Sequence, residues 1–169
     1  MKPRPIRALI LGFPNVGKSA LINRLVRQKV VASARRAGVT RTLRWVRLGQ
    51  ELDLLDAPGV LPPRLDDQQA ALRLAVCDDI GQGAYDVESV AIAFLGMLLQ
   101  SRQKTAAGVP SGLLEQRYGF PFEDKSTDAY DWLVTVAKRH TSGDTLRMAQ
   151  RLLDDFRRAM LGKIALELP

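Results

Sequence analysis

The sequence predicts a mixed α/β chain, with a three-layer α/β/α half-domain over residues 1–84 and an all-helical domain over residues 85–169. Three observations carry this. A short apolar strand, a glycine-rich turn and a helix follow one another before residue 28. A second apolar strand ends in a carboxylate at Asp56. Beyond residue 66 the apolar residues recur at helical spacing.

The first strand is Ile6-Arg7-Ala8-Leu9-Ile10-Leu11, apolar but for one Arg. Next comes Gly12-Phe13-Pro14-Asn15-Val16-Gly17-Lys18-Ser19, which fits G-x-x-x-x-G-K-[ST]. The helix Ala20–Arg27 follows, with Leu21, Ile22 and Leu25 able to face a sheet. Strand, loop and helix in that order make a phosphate-binding loop. Its glycines let the backbone wrap tightly, and its amides with the helix N-terminus hold phosphate oxygens. Pro14, Asn15, Val16, Gly17, Lys18, Ser19 and Ala20 would line the phosphates, Ala20 through its backbone N–H. Lys18 would reach the terminal phosphates and act in catalysis, and the Ser19 hydroxyl would ligate Mg²⁺. The competing reading is an ordinary strand-to-helix turn with a chance Lys-Ser, which the context disfavours.

About forty residues on, Leu52-Asp53-Leu54-Leu55-Asp56 is followed at once by Ala57-Pro58-Gly59. An Asp at that strand tip can hold Mg²⁺ through water, and the Gly59 N–H can meet a γ-phosphate. Taken alone, Asp-Ala-Pro-Gly is equally a plain turn. Between the two boxes, Val30 to Thr42 is polar and basic. Thr40 there is the candidate whose hydroxyl completes the Mg²⁺ shell and assists catalysis; otherwise it is a turn residue. Leu43–Leu48 and Glu51–Leu55, separated by Gly49-Gln50, predict an antiparallel hairpin.

No Asn/Thr-Lys-x-Asp box, the usual reader of guanine, follows; Asp124-Lys125-Ser126-Thr127 does not fit. Nor do further buried strands follow residue 60. So short a sheet buries little apolar surface. The missing strands are expected upstream of residue 1 or from another chain.

The run Arg4–Leu25, then Gly38-Val39-Thr40-Arg41 with Trp45, and Glu51–Leu61 resemble the circularly permuted GTPases of ribosome assembly. Asp67-Gln68-Gln69 and Leu72-Arg73-Leu74-Ala75 extend the similarity, and the family that the chain most resembles is ribosome biogenesis GTPase A. There the guanine boxes precede the phosphate loop. The resemblance implies a Mg²⁺-dependent, GTP-hydrolysing factor of the cytoplasm that acts on the large ribosomal subunit and its rRNA, and it makes this chain the C-terminal part of a longer protein. It implies either a potassium ion at Asn15 or a turn role for that residue. Val60 stands where Ras-like enzymes carry a water-orienting Gln, so activation of water must come from elsewhere. Ala20 and Ala37 depart from the family's usual Thr and Pro. Two rival readings stay open: another P-loop NTPase, such as a tRNA-modification GTPase or an ATPase, and a non-catalytic RNA- or ribosome-binding module.

In the second half, Asp67–Asp79 predicts a helix with Ala71, Leu72, Ala75, Val76 and Ile80 on one stripe, packing as the last helix of the first domain. Gly81-Gln82-Gly83-Ala84 breaks the pattern. Asp86 caps a strongly apolar helix from Val87 through Leu99; Leu113–Tyr118 is a short helix. Ser126 is expected to cap a helix bearing Tyr130, Leu133, Val134 and Ala137, and Asp144 one bearing Leu146, Ala149, Leu153, Phe156 and Met160. Ile164–Leu168 reads as a short extended tail. His140, the one histidine, sits at a helix C-terminus, where capping is the usual role. Without a His/Cys cluster a zinc site is not expected. The lone Cys77 excludes an internal disulfide, and the absence of a long apolar run argues against a membrane span.

The formal charge is +7, unevenly spread: residues 1–65 hold 13 of the 25 basic residues but three of the 18 acids. Arg35, Arg36, Arg41, Arg44 and Arg47 exceed what one nucleotide needs and suggest contact with ribosomal RNA. Arg147, Arg151, Arg157, Arg158 and Lys163 make either a local RNA contact or a solvated face. Unpaired sheet edges make self-association of the chain plausible.

Overall fold

The computed structural model describes residues 4–28, 30–31, 42–61, 65–104, 112–122 and 127–166. They form two compact units, Met1–Asp66 with Asp78–Gly81, and Asp67–Cys77 with Gln82–Pro169.

The first unit holds β1 (Ile6–Ile10), α1 (Lys18–Val26), β2 (Arg44–Leu48) and β3 (Leu52–Asp56). The sheet order is β1-β3-β2. β1 runs parallel to β3, and β2 pairs antiparallel with β3 as the expected hairpin, turning at Gly49 with φ +64°. Alternation sends Ala8, Ile10, Val46, Leu48, Leu52 and Leu54 to one face, where they pack with Ile22 of α1 and with Val26, Val30 and Val31. The Asn23 side chain ties down the chain after α1: its Oδ1 accepts from Val30 and Val31 N–H at 2.9 and 3.0 Å, and its Nδ2 donates to the Val31 carbonyl at 2.9 Å. Of the predicted α1 stripe, Ile22 is fully buried while Leu21 and Leu25 stay half-exposed. Three strands are too narrow to cover the whole stripe. β1 is an edge, with Ile6 and the following Leu11 exposed.

The second unit is helical: α2 (Gln68–Val76), a 3₁₀ turn (Gln82–Ala84), α3 (Val87–Lys104), α4 (Leu113–Tyr118), α5 (Ala129–His140) and α6 (Thr145–Arg157). Carboxylates cap four helices by accepting first-turn N–H groups: Asp67 from Gln69, Asp86 from Ser89, Asp128 from Tyr130 and Asp144 from Arg147. The predicted cap Ser126 lies outside the described residues; Asp128 does the capping of α5. Phe94, Leu95, Leu133, Val136, Met148, Leu152 and Leu153 are buried, and the Phe94 and Phe156 rings meet at 4.8 Å.

Helix α2 packs on α3 and clusters with the helical unit. Two sequence expectations need correcting here. The buried stripe of α6 is Met148, Ala149, Leu152 and Leu153, whereas Leu146 and Met160 are exposed. Arg157 serves the unit's interior. Its Nε and Nη2 donate to the Val76 and Ala75 carbonyls at 2.9 and 2.8 Å, closing the C-terminus of α2, and Nη2 reaches the Tyr85 hydroxyl at 3.3 Å.

Helices α4 and α6 are locked by a polar cluster. Arg117 donates from Nε and Nη2 to the two Asp155 oxygens at 2.9 and 3.1 Å, and the buried Tyr118 hydroxyl donates to Oδ2 at 2.8 Å. Burial alone would raise the Asp155 pKa, but the Arg117 and Tyr118 hydrogen bonds outweigh it and hold the carboxylate below its ordinary value. His140 Nε2–H donates to the Tyr118 carbonyl at 2.9 Å, a bond to the end of α4. Among the described residues, no helix is long and apolar enough to cross a membrane.

Candidate functional site

The site grows from the C-terminal ends of two parallel strands. β1 and β3 end in register, Ile10 opposite Asp56, so the loop after each opens at the same edge. The loop after β1 turns through Asn15 (φ +58°) and Gly17 (φ +95°) into α1. Gly17 caps α1 and offers no side-chain oxygen to its first turn. A helix N-terminus begun this way is suited to an anion.

Lys18 folds back over the loop, its ammonium donating to the carbonyls of Gly12 at 3.1 Å and Phe13 at 2.6 Å. The Ser19 hydroxyl donates to Asp56 Oδ2 at 3.1 Å. Asp56 shares the inward parity of Leu52 and Leu54, which places its carboxylate under the start of α1 and leaves it 1 % exposed. Among the described residues its second oxygen, Oδ1, is buried with no hydrogen-bond partner. A buried carboxylate oxygen without a donor is costly unless a cation answers it. Ser19 and Asp56 are hard oxygen donors, and Mg²⁺ is commonly held by one or two protein oxygens plus waters and phosphates. The residues present therefore fit the ion.

Gly59 sits directly on the phosphate loop. A Cβ there would lie 2.4 Å from the Pro14 Cα and N, so only glycine fits this approach. The next residue, Val60, donates its N–H to the Gly12 carbonyl at 3.2 Å. Together these contacts seat the segment after β3 against the loop after β1.

Pro14, Gly17, Lys18, Ser19, Asp56 and Gly59 thus lie together at this edge of the sheet. Ala20 lies on the first turn of α1, and the Val16 side chain is exposed at the rim. Thr40 lies outside the described residues, as do Arg35, Arg36 and Arg41. Asn15 turns to the chain after α2, its Nδ2 donating to the Asp78 carbonyl at 2.6 Å. That partner, and the Gly12 carbonyl that receives Val60, are main-chain atoms, and no side-chain signal could have pointed to them.

A family model described as a 50S ribosome-binding GTPase matches residues 7–97. Ribosome biogenesis GTPase A of Bacillus pumilus is 33 % identical over 173 residues, covering 100 % of this chain and 58 % of its own length. That of Bacillus licheniformis is 47 % identical over 98 residues, 58 % of this chain and 35 % of its own. The chain therefore spans about half or less of these relatives. The solved GDP-bound structure of TM YlqF superposes with a TM-score of 0.62 at 18 % identity, over 99 % of this chain and 62 % of that one, a likeness of fold. On the match across residues 7–97, which is more than half its length, the chain belongs to the 50S ribosome-binding GTPase family.

Proposed function

We propose that this chain carries the phosphate- and Mg²⁺-binding half of a GTP-hydrolysing assembly factor of the large ribosomal subunit. The observation that carries the reading is the buried Asp56 carboxylate, one oxygen on Ser19 and the other without a donor among the described residues, beside the Lys18 loop. Ser19 and Asp56, with Thr40 from the loop before β2, would hold Mg²⁺, which would screen the charge of the outer phosphates. Lys18 would exchange the Gly12 and Phe13 carbonyls for phosphate oxygens. Amides of residues 14–20 would cradle the phosphates, and the Gly59 N–H would sense the γ-phosphate.

Val60 is exposed and aliphatic and cannot orient the attacking water. A potassium ion at Asn15 would take the side-chain oxygen Oδ1, since Nδ2 donates to the Asp78 carbonyl. The chain has no guanine-reading box, so base selection would rest on strands added to the exposed edge at β1. The same edge would support self-association of the chain alone. A large-subunit partner is supported by the family description and by the basic excess in residues 1–65.

Sedimentation with purified 50S or 30S subunits tests this, with and without a non-hydrolysable GTP analogue. Nucleotide-enhanced association with 50S that Lys18→Ala abolishes is expected. Association that is indifferent to nucleotide and to Lys18→Ala would point to a non-catalytic ribosome-binding module.

A further inference from the structure

Helix α1 covers one face of the sheet; the opposite face has a composition that nucleotide binding does not explain. Alternation brings Arg7, Leu9, Trp45, Arg47, Asp53 and Leu55 to it. The register sorts them into two rows: Arg7 and Arg47 each stand opposite Asp53, and Leu9 and Trp45 each stand opposite Leu55. The result is a cationic row beside an apolar one.

Arg7, Trp45, Arg47 and Asp53 line a cavity of about 520 Å³ on this face. The Arg7 guanidinium lies 5.4 Å from the Trp45 ring centroid, a cation–π contact, yet Trp45 remains 52 % exposed. The Arg47 side chain is 79 % exposed while its partner Asp53, 3.4 Å away at Oδ1, is 13 % exposed, so the guanidinium keeps an outward edge on which a phosphate can sit.

We propose that this face binds single-stranded RNA, a base stacking on Trp45 with flanking phosphates on Arg7 and Arg47. An aromatic platform framed by guanidinium groups is how proteins hold unpaired nucleotides without reading their sequence. Charge selects a polyanion over a protein segment. Of the three acids in residues 1–65, Asp56 is buried at the Mg²⁺ site and Glu51 lies in the β2–β3 turn, leaving Asp53 alone against two arginines on this face. The inference rests on the ribosomal reading above for the source of the RNA, and it needs neither nucleotide nor Mg²⁺.

The test is titration of the full chain with a mixed-sequence single-stranded RNA of about ten nucleotides, without GTP or Mg²⁺, followed by tryptophan emission and by anisotropy of labelled RNA. Trp132 is 3 % exposed, so quenching reports Trp45. Quenching is expected with the single strand, and weaker binding with an RNA duplex of the same length. Trp45→Ala should weaken binding about tenfold or more, and Trp45→Phe less, because it keeps a ring. Arg47→Gln should weaken binding and flatten its salt dependence while placing no second carboxylate opposite Asp53. Unchanged affinity in Trp45→Ala with a native circular dichroism spectrum would overturn the proposal, as would equal quenching by heparin. A chain that fails here while keeping its Lys18-dependent 50S association leaves the GTPase reading standing.

Discussion

The proposed Mg²⁺ role of Asp56 predicts a carboxylate that costs stability when no cation is bound, and Asp56→Asn makes this measurable. The side chain is 1 % exposed, with one hydrogen bond from Ser19 and, among the described residues, no donor on Oδ1. A buried polar group without a partner costs about 1–3 kcal/mol, and a charged one more. Asparagine keeps an oxygen for the Ser19 hydroxyl and removes the charge, but leaves an amide without a partner. The net gain without Mg²⁺ is therefore about 1–2 kcal/mol. Amide hydrogen exchange in β3 reads this locally, with exchange at Leu54 slowed about 5- to 30-fold by the substitution. Mg²⁺ with GDP should reverse the order. At about 100 times its Kd a ligand adds ~2.7 kcal/mol to the wild type, and Asp56→Asn should lose the Mg²⁺-dependent part of that gain. Faster β3 exchange in Asp56→Asn than in the wild type, without Mg²⁺, would refute the reasoning.

Two further substitutions test other parts of the structure. Gly59→Ala would place a Cβ 2.4 Å from the Pro14 backbone, so the segment after β3 must lift off the loop; exchange at the Val60 amide, bonded to Gly12, should accelerate about tenfold, the loss of roughly one hydrogen bond. Asp155→Ala takes the acceptor from Arg117 and from the buried Tyr118 hydroxyl; since Arg117 is partly solvated, the loss should be near 3 kcal/mol and the melting temperature should fall by about 10 °C or more. Because the folded-state pKa of Asp155 is depressed, its stabilisation is full above the unfolded value near ~4 and fades as pH falls through the folded value. Melting curves of wild type and variant should therefore stay apart from neutral pH to about 5 and converge in stronger acid.

What was legible in the sequence depended on whether side chains or main chain make the contact. Lys18 and Ser19 were legible as candidates through their spacing behind the glycines, and Asp56 through its place at a strand end. The hairpin followed from alternation around Gly49, and the caps at Asp86 and Asp144 from residue type before an apolar run. The engagement of Asn15 was hidden because its partner is the carbonyl of Asp78, 63 residues away, which any residue would supply. The packing of α2 on α3 is not legible, because a stripe of Ala71, Leu72, Ala75 and Val76 fits a sheet or a helix equally well. Choosing Leu146 over Met148 and Leu152 for α6 shows how weakly apolar spacing fixes the phase of a helix that also carries long basic side chains. Arg157 reads as an RNA contact or a solvated charge, because charge alone does not tell either from the open carbonyls at the end of α2.

The central claim, that residues 12–19 with Asp56 and Gly59 form a working phosphate and Mg²⁺ site in a chain without its own base reader, is tested most directly by calorimetry. GDP and ADP are titrated into the wild type and Lys18→Ala, each with Mg²⁺ and with EDTA. Weak binding of both nucleotides is expected, strengthened by Mg²⁺, with little preference for guanine and loss in Lys18→Ala. A tight guanine-selective complex would contradict it, and so would binding indifferent to Mg²⁺ and to Lys18.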